Sequence, residues 1–475
     1  MIGLAVMGRN LVLNLMDHGR TVAVFNRTAQ RTRSFAEGEA SGRPLLPFYD
    51  LESFVASLER PRSILLMIKA GEPIDDQITA LAPLLDPGDV IIDGGNSLHS
   101  DTERRCRELE TQQISFVGAG ISGGEDGARF GPSIMPGGNP DAWPIIGDTL
   151  TAIAADKDGE SMAAWIGPGG SGHYVKMVHN GIEYGDMQVI AEAYDIMHRG
   201  LTFSPGEMRR NFHAWNEGKL GSYLIEITAD ILGHDDADGP TLDVILDSAG
   251  QKGTGKWAVN SSMDHGVPVT LVGEAVYARF VSSLIDERRV AGQRFDDPID
   301  PAPFANEEAI SDLHDALYAS KIVSYAQGFM LLDVASDAYD WGLDIGTIAG
   351  LWRAGCIIRS RFLDDITAAY REAHDAPVNL LLDDHFSGEI TAALPGWRRT
   401  VARAATAGIP TPAYGSALAF FDAYRSRRLP ANLIQAQRDY FGAHTYERVD
   451  RPRGEWFHTD WTGHGGTVTS GRYDV

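Results

Sequence analysis

Residues 3–8 read Gly3-Leu4-Ala5-Val6-Met7-Gly8, and a helical stretch through Asn14 and Leu15 follows them. This is a variant of the glycine-rich turn that opens a dinucleotide-binding unit, because the first glycine permits a sharp turn and the later one lets helix and strand pack closely. The helix N-terminus then faces a pyrophosphate. A chance glycine-rich turn is the alternative, but a strand predicted at Thr21–Phe25 stands where the second unit requires one. The stretch therefore favours a Rossmann-type sheet.

The strand and helix patterns change once along the chain. Candidate strands at Thr21–Phe25, Ser63–Met67, Asp89–Ile92 and Ser115–Gly118 alternate with helical stretches, as a parallel α/β sheet requires. After Gly167-Pro168-Gly169-Gly170 long helical periods begin with Gly172–Arg199, and no convincing strand alternation returns. We therefore predict an α/β Rossmann-type N-terminal domain at residues 1–168, followed by a large all-α domain at residues 169–425.

The C-terminal segment, residues 426–475, is richer in aromatic residues, glycine and histidine. It has too few regularly spaced apolar positions to fold alone. We predict a C-terminal tail that packs on another body of protein.

The composition is that of an ordinary soluble globular protein with several folding units. The chain has 475 residues, of which 43% are hydrophobic and 22% are charged. Its 41 Lys and Arg against 65 Asp and Glu leave a formal charge of −24, which disfavours nucleic acid and anionic membranes as partners. An anionic ligand therefore requires a local basic pocket.

Cysteine content and hydropathy favour a cytoplasmic protein. Cys106 and Cys356 are the two cysteines and lie far apart in sequence, which fits a reducing compartment and leaves no cysteine-based zinc site. The longest apolar runs, such as Ile64–Ile68, are far shorter than a membrane span. We expect neither a metal nor a membrane anchor.

The residues after the predicted strand Thr21–Phe25 indicate which dinucleotide is bound. An NAD enzyme usually places an acid there for the ribose 2′-hydroxyl, whereas this chain has Asn26-Arg27-Thr28. An arginine at this place can hold a 2′-phosphate. NADP is therefore preferred over NAD, with a solvated surface arginine as the alternative interpretation.

Two further strand ends carry small and polar residues. Asp93-Gly94-Gly95-Asn96-Ser97 follows one strand, and Ser122-Gly123-Gly124 follows another. Ligands of open α/β sheets bind at the carboxyl ends of strands, and backbone amides in such turns can hold a carboxylate. Simple loop chemistry explains these residues equally well.

A polar stripe marks the predicted helix after Gly172. Lys176, Asn180 and Glu183 are spaced so that they share one face, with His179 and Tyr184 beside them. A lysine, an amide and a carboxylate on one stripe suit proton transfers at neighbouring carbons. A salt-bridged exposed stripe is the ordinary alternative, but the apolar residues between them favour a buried helix.

The segment 245–257, which includes Gly250-Gln251-Lys252-Gly253-Thr254-Gly255-Lys256-Trp257, combines glycines with lysine and threonine. Such a loop can approach a phosphate closely with amides, a hydroxyl and an ammonium group. It lacks the Walker spacing of a P-loop.

The helical half contains one internal echo. The segment from Val175 to Asp195 resembles the segment from Ser320 to Asp340 at a constant offset of 145 residues. Asn180 and Glu183 of the first copy are replaced by Tyr325 and Gly328 in the second. We interpret the second copy as scaffold.

Seven motifs occur in the order of one known family and along essentially the whole chain: GLAVMG, NRT, DGGNS, SGGEDGARFGPSIMPGG, KMVHNGIEYGDMQ, DSAGQKGTGKW and QRDYFGAHTYE. On these motifs the chain resembles the decarboxylating 6-phosphogluconate dehydrogenases. The resemblance implies oxidation of 6-phosphogluconate to ribulose 5-phosphate and CO2 with reduction of NADP, as in the oxidative pentose phosphate pathway and gluconate utilization. It also implies a homodimer with shared active sites.

The resemblance implies roles for individual residues. Lys176 matches the general base that takes the proton of the C3 hydroxyl and, once protonated, polarises the ketone. Glu183 matches the acid that delivers a proton to C1 of the product. The implied cofactor contacts are Gly3, Leu4, Ala5, Val6, Met7, Gly8, Asn26, Arg27, Thr28, Ile68, Lys69, Ala70 and Asn96. The implied substrate contacts are Asn96, Ser122, Gly123, Gly124, His179, Asn180, Tyr184, Lys252, Thr254 and Arg279, with Arg438 and His444 reaching the partner subunit's site.

One departure concerns the start of the chain. Only Met1 and Ile2 precede Gly3, so we expect the central first strand to lack most of its length and to form no ladder on both sides. A genuine short start would favour an inactive NADP- or sugar-phosphate-binding protein. The nearest enzyme alternative is a non-decarboxylating β-hydroxyacid dehydrogenase, which the phosphate-end residues disfavour.

Overall fold

The computed structural model describes residues 1–237, 239–295, 298–371, 378–465 and 469. Contacts divide the chain into two units, Met1–Ala417 and Leu418–Val475. No described helix combines the length and the apolar character that crossing a bilayer requires.

The N-terminal part of the first unit is built on one sheet. Its principal strands are β1 (Val22–Phe25), β2 (Leu45–Phe48), β3 (Ser63–Leu66), β4 (Val90–Asp93), β5 (Ser115–Ile121) and β6 (Ile134–Gly138), with the short β9 (Gly167–Pro168) at one edge. The order β3-β4-β5-β6-β9 is parallel except for the antiparallel β5 and β6 pair, and β1 pairs in parallel with β2. A small hairpin joins β7 (Asp156–Lys157) to β8 (Glu160–Ser161). The predicted Rossmann-type sheet is confirmed.

Met1 and Ile2 join the two groups of strands. Ile2 pairs in parallel with both Phe25 and Leu66. The Ile2 amide donates to Leu65 O at 2.8 Å, and the Phe25 amide donates to Met1 O at 3.0 Å. The expectation that this lead forms no ladder on both sides is therefore wrong. The flanking strands β1 and β3 have only four residues each. A lead of two residues is therefore long enough for Ile2 to form a β-bridge with each of them.

Helices cover both faces of the sheet, because successive strand residues point to opposite sides. Leu65 and Ile92 enter one apolar cluster, and Ile64 and Ile91 enter the other. The helices of this part are α1 (Val6–Asp17), α2 (Ala29–Glu37), α3 (Leu51–Ala56), α4 (Glu72–Leu81), α5 (His99–Glu110), α6 (Gly124–Phe130) and α7 (Trp143–Ile153).

Two strands escaped prediction for identifiable reasons. The edge strand β2 contains Pro47, which a central strand would not tolerate, and its side chains are partly exposed. The fully buried strand β6 reads Ile-Met-Pro-Gly-Gly, a sequence that resembles a turn.

The rest of the first unit is helical. The helices are α8 (Ser171–Asp195), α9 (Pro205–Asn216), α10 (Tyr223–Leu232), α11 (Thr254–Asp264), α12 (Thr270–Ser283), α13 (Ile285–Arg294), α14 (Ala309–Tyr339), α15 (Ile345–Leu351), α16 (Phe362–Arg371), α17 (Asp384–Ala407) and α18 (Pro412–Tyr424), the last of which crosses into the second unit. A π-helical turn, Ile196–Gly200, extends α8. A two-residue hairpin, β10 (Asp235–Asp236) with β11 (Gly239–Pro240), follows α10. The two copies of the internal echo are the long helices α8 and α14, which pack against each other.

The second unit contains helix α19 (Ala431–Gly442) and a hairpin of β12 (Tyr446–Glu447) and β13 (Trp456–Phe457). The buried Asp439 carboxylate holds them together, since it accepts hydrogen bonds from the Thr459 amide at 3.0 Å and the Trp461 indole at 2.9 Å. Large apolar side chains of α19 remain exposed, including Leu433 at 61% and Phe441 at 73%.

Candidate active site

The predicted cofactor turn lies at the carboxyl edge of the sheet. Gly3 has φ +101°, and a side chain there would collide with Met67 O and Ile68 at the end of β3. A side chain at Gly8 would overlap Gly3 O, so the two glycines let α1 begin directly against the turn. No side chain caps the α1 N-terminus at Ala5, which leaves its first amides available to an anion.

Asn26 and Arg27 take different parts at the end of β1. The Leu4 amide donates to Asn26 Oδ1 at 3.1 Å, so Asn26 ties the glycine-rich turn to β1. Arg27 is exposed and, within the described part of the chain, forms no hydrogen bond or ion pair. Its guanidinium is therefore free to bind a phosphate.

Asn96 is presented on a loop that Asp93 organises. The Asp93 carboxylate accepts from the Gly95 amide at 2.9 Å and from Ser97 Oγ at 2.6 Å. Asn96 itself is exposed, as is Lys69 after the neighbouring strand β3, whereas Ile68 and Ala70 are half-buried. The Asp93 side chain thus fixes the loop through Gly95 and Ser97, and the exposed Asn96 side chain can contact a ligand.

The polar stripe of α8 is buried and meets the loop after β5. Lys176 Nζ lies 3.4 Å from His179 Nδ1, which lies 3.1 Å from Asn180 Oδ1. The other ring nitrogen, His179 Nε2, lies 3.2 Å from Ser122 Oγ. The exposed salt-bridged stripe, which was the alternative interpretation, is therefore wrong. The structure brings together Lys176, His179, Asn180 and Ser122.

Lys176 is a buried amine without a close counter-charge. Lys176 is 6% exposed. Among the described residues, no carboxylate oxygen lies within 4 Å of Lys176 Nζ. Burial lowers the pKa of Lys176, and the more distant Glu183 opposes this only in part. The side chain lies against β5, because a Cβ at Gly120 would meet the Lys176 stem. A lowered pKa makes the neutral amine, the form that accepts a proton, accessible.

Glu183 lies one turn beyond Asn180 on the same stripe. Its Oε2 is 3.9 Å from His179 Nδ1, and its side chain is half-buried. Burial raises the pKa of Glu183, while Lys176, Arg279 and Lys252 act in the opposite direction. A carboxyl that keeps its proton above the usual range can act as a general acid.

A second cluster surrounds Tyr184. The Arg279 guanidinium carbon lies 3.5 Å from the centre of the Tyr184 ring, and a side chain at Gly255 would strike the same ring. Thr254 is the buried first residue of α11, preceded by Gly253 with φ +98°, and Lys252 is exposed. Arg279 also donates to Gly250 O at 3.0 Å. The Arg279 guanidinium and the start of α11, with the Thr254 residue, thus both lie against Tyr184. Lys252 precedes this helix by two residues.

Arg438 and His444 belong to the second unit. Arg438 Nη1 donates to Gln435 Oε1 at 2.9 Å, and the His444 ring packs edge-on against Phe441 with centres 6.0 Å apart. Their expected contact with a partner's substrate stays a prediction.

Cys356 and Trp352 are neighbours of the stripe that the sequence did not indicate. Trp352 packs edge-on against His179 with ring centres 5.6 Å apart. Cys356 Sγ contacts Trp352 O at 3.1 Å. Burial raises the pKa of the Cys356 thiol to about 12, so the thiol is an uncharged neighbour of the stripe. Both cysteines are free thiols. No periodic or motif signal joins residues 352–356 to α8, because the contact depends on tertiary packing.

Comparisons with known proteins identify the family of the chain. Residues 1–167 match the NAD binding domain of 6-phosphogluconate dehydrogenase, and residues 172–461 match the 6-phosphogluconate dehydrogenase C-terminal domain. The chain is 55% identical to Saccharomyces cerevisiae 6-phosphogluconate dehydrogenase, decarboxylating 2, and 53% identical to the decarboxylating enzyme of Haemophilus influenzae, with 100% of this chain and 98% of each relative covered.

A solved structure is similar over almost the same length. It is Plasmodium falciparum 6-phosphogluconate dehydrogenase, studied in apo form and in complex with its cofactor NADP+ and its substrate 6-phosphogluconate. The TM-score is 0.93 at 42% identity, and the match covers 97% of this chain and 99% of that one. Family models and relatives agree over both the sheet and the helical part, so the chain belongs to the 6-phosphogluconate dehydrogenase family.

Proposed function

We propose that the chain catalyses oxidative decarboxylation of 6-phospho-D-gluconate to D-ribulose 5-phosphate and CO2 with reduction of NADP to NADPH. The observation that carries the proposal is the buried stripe of Lys176, His179, Asn180 and Glu183 beside Ser122, at the edge of the sheet where the dinucleotide turn lies. The relatives' shared description as decarboxylating dehydrogenases supports the same reaction.

The residues present fit NADP. The Gly3–Gly8 turn leaves a cradle that side chains would fill, and the uncapped α1 N-terminus offers amides to a pyrophosphate. Arg27 offers an exposed guanidinium for the 2′-phosphate. The other proposed cofactor contacts at this edge of the sheet are Asn26 through Thr28, Ile68 through Ala70 and Asn96. When bound there, NADP supplies the hydride acceptor for C3 of the substrate.

Lys176 acts first, as general base. The neutral amine accepts the proton of the C3 hydroxyl while the C3–H bond gives up its hydride, so that a 3-keto acid forms. The resulting ammonium then lies beside the new carbonyl oxygen and polarises it. Because the ammonium takes this part, the proposed reaction uses no metal ion as a Lewis acid.

Glu183 acts last, as general acid. Breaking the bond between C1 and C2 releases CO2, and the polarised ketone accepts the electron pair as an enediol. The Lys176 ammonium gives its proton to the C3 oxygen as this enediol forms. Glu183 then donates its proton to the carbon that becomes C1 of ribulose 5-phosphate, while the neutral Lys176 amine takes the proton of the enediol hydroxyl and the ketone forms again. Transfer of one proton from the Lys176 ammonium to the Glu183 carboxylate restores both groups. The buried environment that raises the pKa of Glu183 keeps this proton available.

The remaining site residues hold the two ends of the substrate. Ser122, Gly123, Gly124, Asn96, His179 and Asn180 bind the carboxylate and hydroxyls. Tyr184, Lys252, Thr254 and Arg279 bind the phosphate, for which Arg279 is already ordered against Tyr184. This phosphate site distinguishes the function from that of a non-decarboxylating β-hydroxyacid dehydrogenase.

The protein acts as a homodimer in the cytoplasm, with Arg438 and His444 of each chain completing the partner's phosphate site. The exposed apolar side chains of α19 support an interface at this segment, because contiguous apolar surface on a soluble protein marks contact sites. The organisation into a cofactor domain at 1–168, a helical domain at 169–425 and a tail at 426–475 is part of the same proposal.

A substrate panel tests the function. NADPH formation and CO2 release are measured with 6-phosphogluconate and with hydroxyacids that lack the phosphate. We expect both products from 6-phosphogluconate alone. Turnover of an unphosphorylated hydroxyacid without CO2 would favour the rival dehydrogenase, and no turnover of any substrate would favour the inactive binding protein.

Arg27→Ala tests the cofactor assignment. The variant loses charge-assisted hydrogen bonds to a group that NAD lacks, so NADP affinity should fall by about tenfold or more while NAD affinity stays unchanged. Equal losses for both cofactors would assign Arg27 a structural role instead.

A further inference from the structure

A buried ion pair lies directly behind the acid on α8. Lys321 Nζ of α14 lies 2.6 Å from Asp186 Oδ2, and the two side chains are 0% and 1% exposed. Tyr325 OH also donates to Asp186 Oδ2, at 3.3 Å. The other oxygen, Asp186 Oδ1, has no hydrogen-bond partner among the described residues. Among the described residues, one carboxylate oxygen is therefore paired and the other is not. Burial raises the pKa of Asp186, whereas Lys321 and Tyr325 act in the opposite direction and favour the carboxylate.

The pair is locked in place by close packing of the two helices. A side chain at Gly185 would collide with Ser324 on α14, and one at Gly328 would collide with Ile182 on α8. The two glycines let the backbones approach closely on either side of Asp186, which leaves little freedom to the ion pair. The geometry around Asp186 is thus fixed by the fold.

Asp186 is three residues from Glu183 on the same helix, a spacing that makes two side chains neighbours. Burial is the largest cause of the raised pKa of Glu183, and the negative charge of Asp186 acts in the same direction. The charged groups that act on the pKa of Glu183 are Lys176 and Asp186 on α8, Lys252 before α11 and Arg279 on α12. Two further titratable groups lie nearby, His179 on α8 at 3.9 Å and Cys356 after α15. The lysines and the arginine favour the ionised carboxylate, and burial together with the negative charge of Asp186 opposes them.

We propose that Asp186 and Lys321 are positioning residues for proton delivery: Asp186 keeps Glu183 protonated until the product carbon is ready, and Lys321 keeps Asp186 charged and in place. This inference rests on the proposed role of Glu183 as the acid. It assigns a task to a buried pair of charges outside the proposed substrate and cofactor contacts. An apolar pair of similar volume would stabilise the helix contact at least as well, so stability alone does not account for the pair.

An infrared titration of the whole protein tests the proposal without substrate. The carbonyl band of the protonated Glu183 carboxyl is identified by its loss in Glu183→Gln, and its amplitude is followed against pH. Asp186→Asn removes the negative charge and keeps the shape, so the midpoint should fall by about one pH unit. Because Asp186→Asn leaves Lys321 buried without a counter-ion, Asp186→Asn/Lys321→Met is measured beside it and should show a fall of the same sign.

Asp89→Asn is the matched control. Asp89 forms a comparably buried ion pair with Arg62 at 2.7 Å, with side chains 2% and 7% exposed, at the amino end of β4. This variant disturbs a buried pair elsewhere and should leave the Glu183 midpoint unchanged. A midpoint that stays at the wild-type value in both Asp186 variants, or moves equally in the control, would overturn the proposal.

Turnover gives the second readout. In Asp186→Asn the pH at which kcat declines on the basic side should fall by the same amount as the infrared midpoint. Only protonated Glu183 delivers a proton, so both measurements follow the same titration. If the wild-type chain does not turn over 6-phosphogluconate, the proposed function fails while the infrared midpoint still decides whether Asp186 acts on Glu183. An unchanged kcat profile beside a shifted midpoint would overturn the part that concerns proton delivery.

Discussion

Helices α8 and α14 have similar sequences with a lysine at the matching position, Lys176 and Lys321. The two lysines have different surroundings. Lys176 of α8 is buried, and no carboxylate of the described residues lies within 4 Å of its amine, whereas Lys321 of α14 is buried against Asp186 at 2.6 Å. The first arrangement lowers the pKa of the amine through burial. In the second, a carboxylate lies at hydrogen-bond distance from the buried amine. Both lysines are therefore buried but differ in their neighbours, and this difference separates a candidate general base from a member of an ion pair.

The largest expected effect comes from the unpaired lysine. Lys176→Met should lower kcat about 10²–10⁴-fold, because it removes the group that takes the C3 proton. The melting temperature should stay the same or rise, since a buried amine without a counter-ion is replaced by an apolar chain of similar length. Steady-state NADPH formation and thermal unfolding check both statements. Near-normal turnover would assign the base to another residue.

The paired lysine should give the reverse result. Lys321→Met leaves the Asp186 carboxylate buried without its counter-ion, which we expect to cost about 3–5 kcal/mol of unfolding free energy. Lys321→Met/Asp186→Leu removes both charges and should recover most of this loss. Urea unfolding measures the difference between the two variants. If both variants are equally unstable, packing of the Lys321 stem rather than the charge supports the helix contact.

The sequence was informative where a feature depends on local spacing. The stripe of Lys176, Asn180 and Glu183 follows from helical periodicity, and the resemblance supplied the phosphate-end residues. The Asp186–Lys321 pair was not predicted, because its members are 135 residues apart and meet only through the crossing of α8 and α14. Cys356 was missed for the same reason. Strand β6 was missed because its glycines serve close packing of the sheet rather than a turn.

A third expected effect concerns the last turns of the same helices. Glu192 on α8 is buried and accepts the Ala413 and Tyr414 amides at the start of α18, at 2.8 and 3.0 Å. The matching residue of α14, Asp337, is exposed. Burial raises the pKa of Glu192 to about 7, so the folded state holds a proton that the unfolded state releases near the ordinary value of 4.5.

The sign follows from the proton counts. Between these two values the folded state binds more protons, so unfolding free energy is largest at low pH and falls as pH rises to about 7. At about 1.4 kcal/mol per pKa unit, the linkage amounts to about 3 kcal/mol. Glu192→Gln should flatten this part of the stability profile, whereas Asp337→Asn should leave it unchanged. A profile that keeps its slope in Glu192→Gln would place the titration on another group.

The smallest expected effect concerns Tyr325, which stands on α14 where Asn180 stands on α8. Its hydroxyl donates to Ile358 O at 2.8 Å and, less closely, to Asp186 Oδ2 at 3.3 Å. Tyr325→Phe leaves the Ile358 carbonyl without this donor and should lower the unfolding free energy by about 1–2 kcal/mol, with kcat changed less than about twofold. The shorter distance indicates that most of this cost arises at Ile358 rather than at Asp186. The same substitution on the Lys321→Met/Asp186→Leu background should therefore cost nearly as much, as measured by urea unfolding in a double-mutant cycle. If the cost disappears on that background, the Tyr325 hydroxyl stabilises the protein mainly through the Asp186–Lys321 ion pair. Its hydrogen bond to Ile358 O would then contribute little by itself.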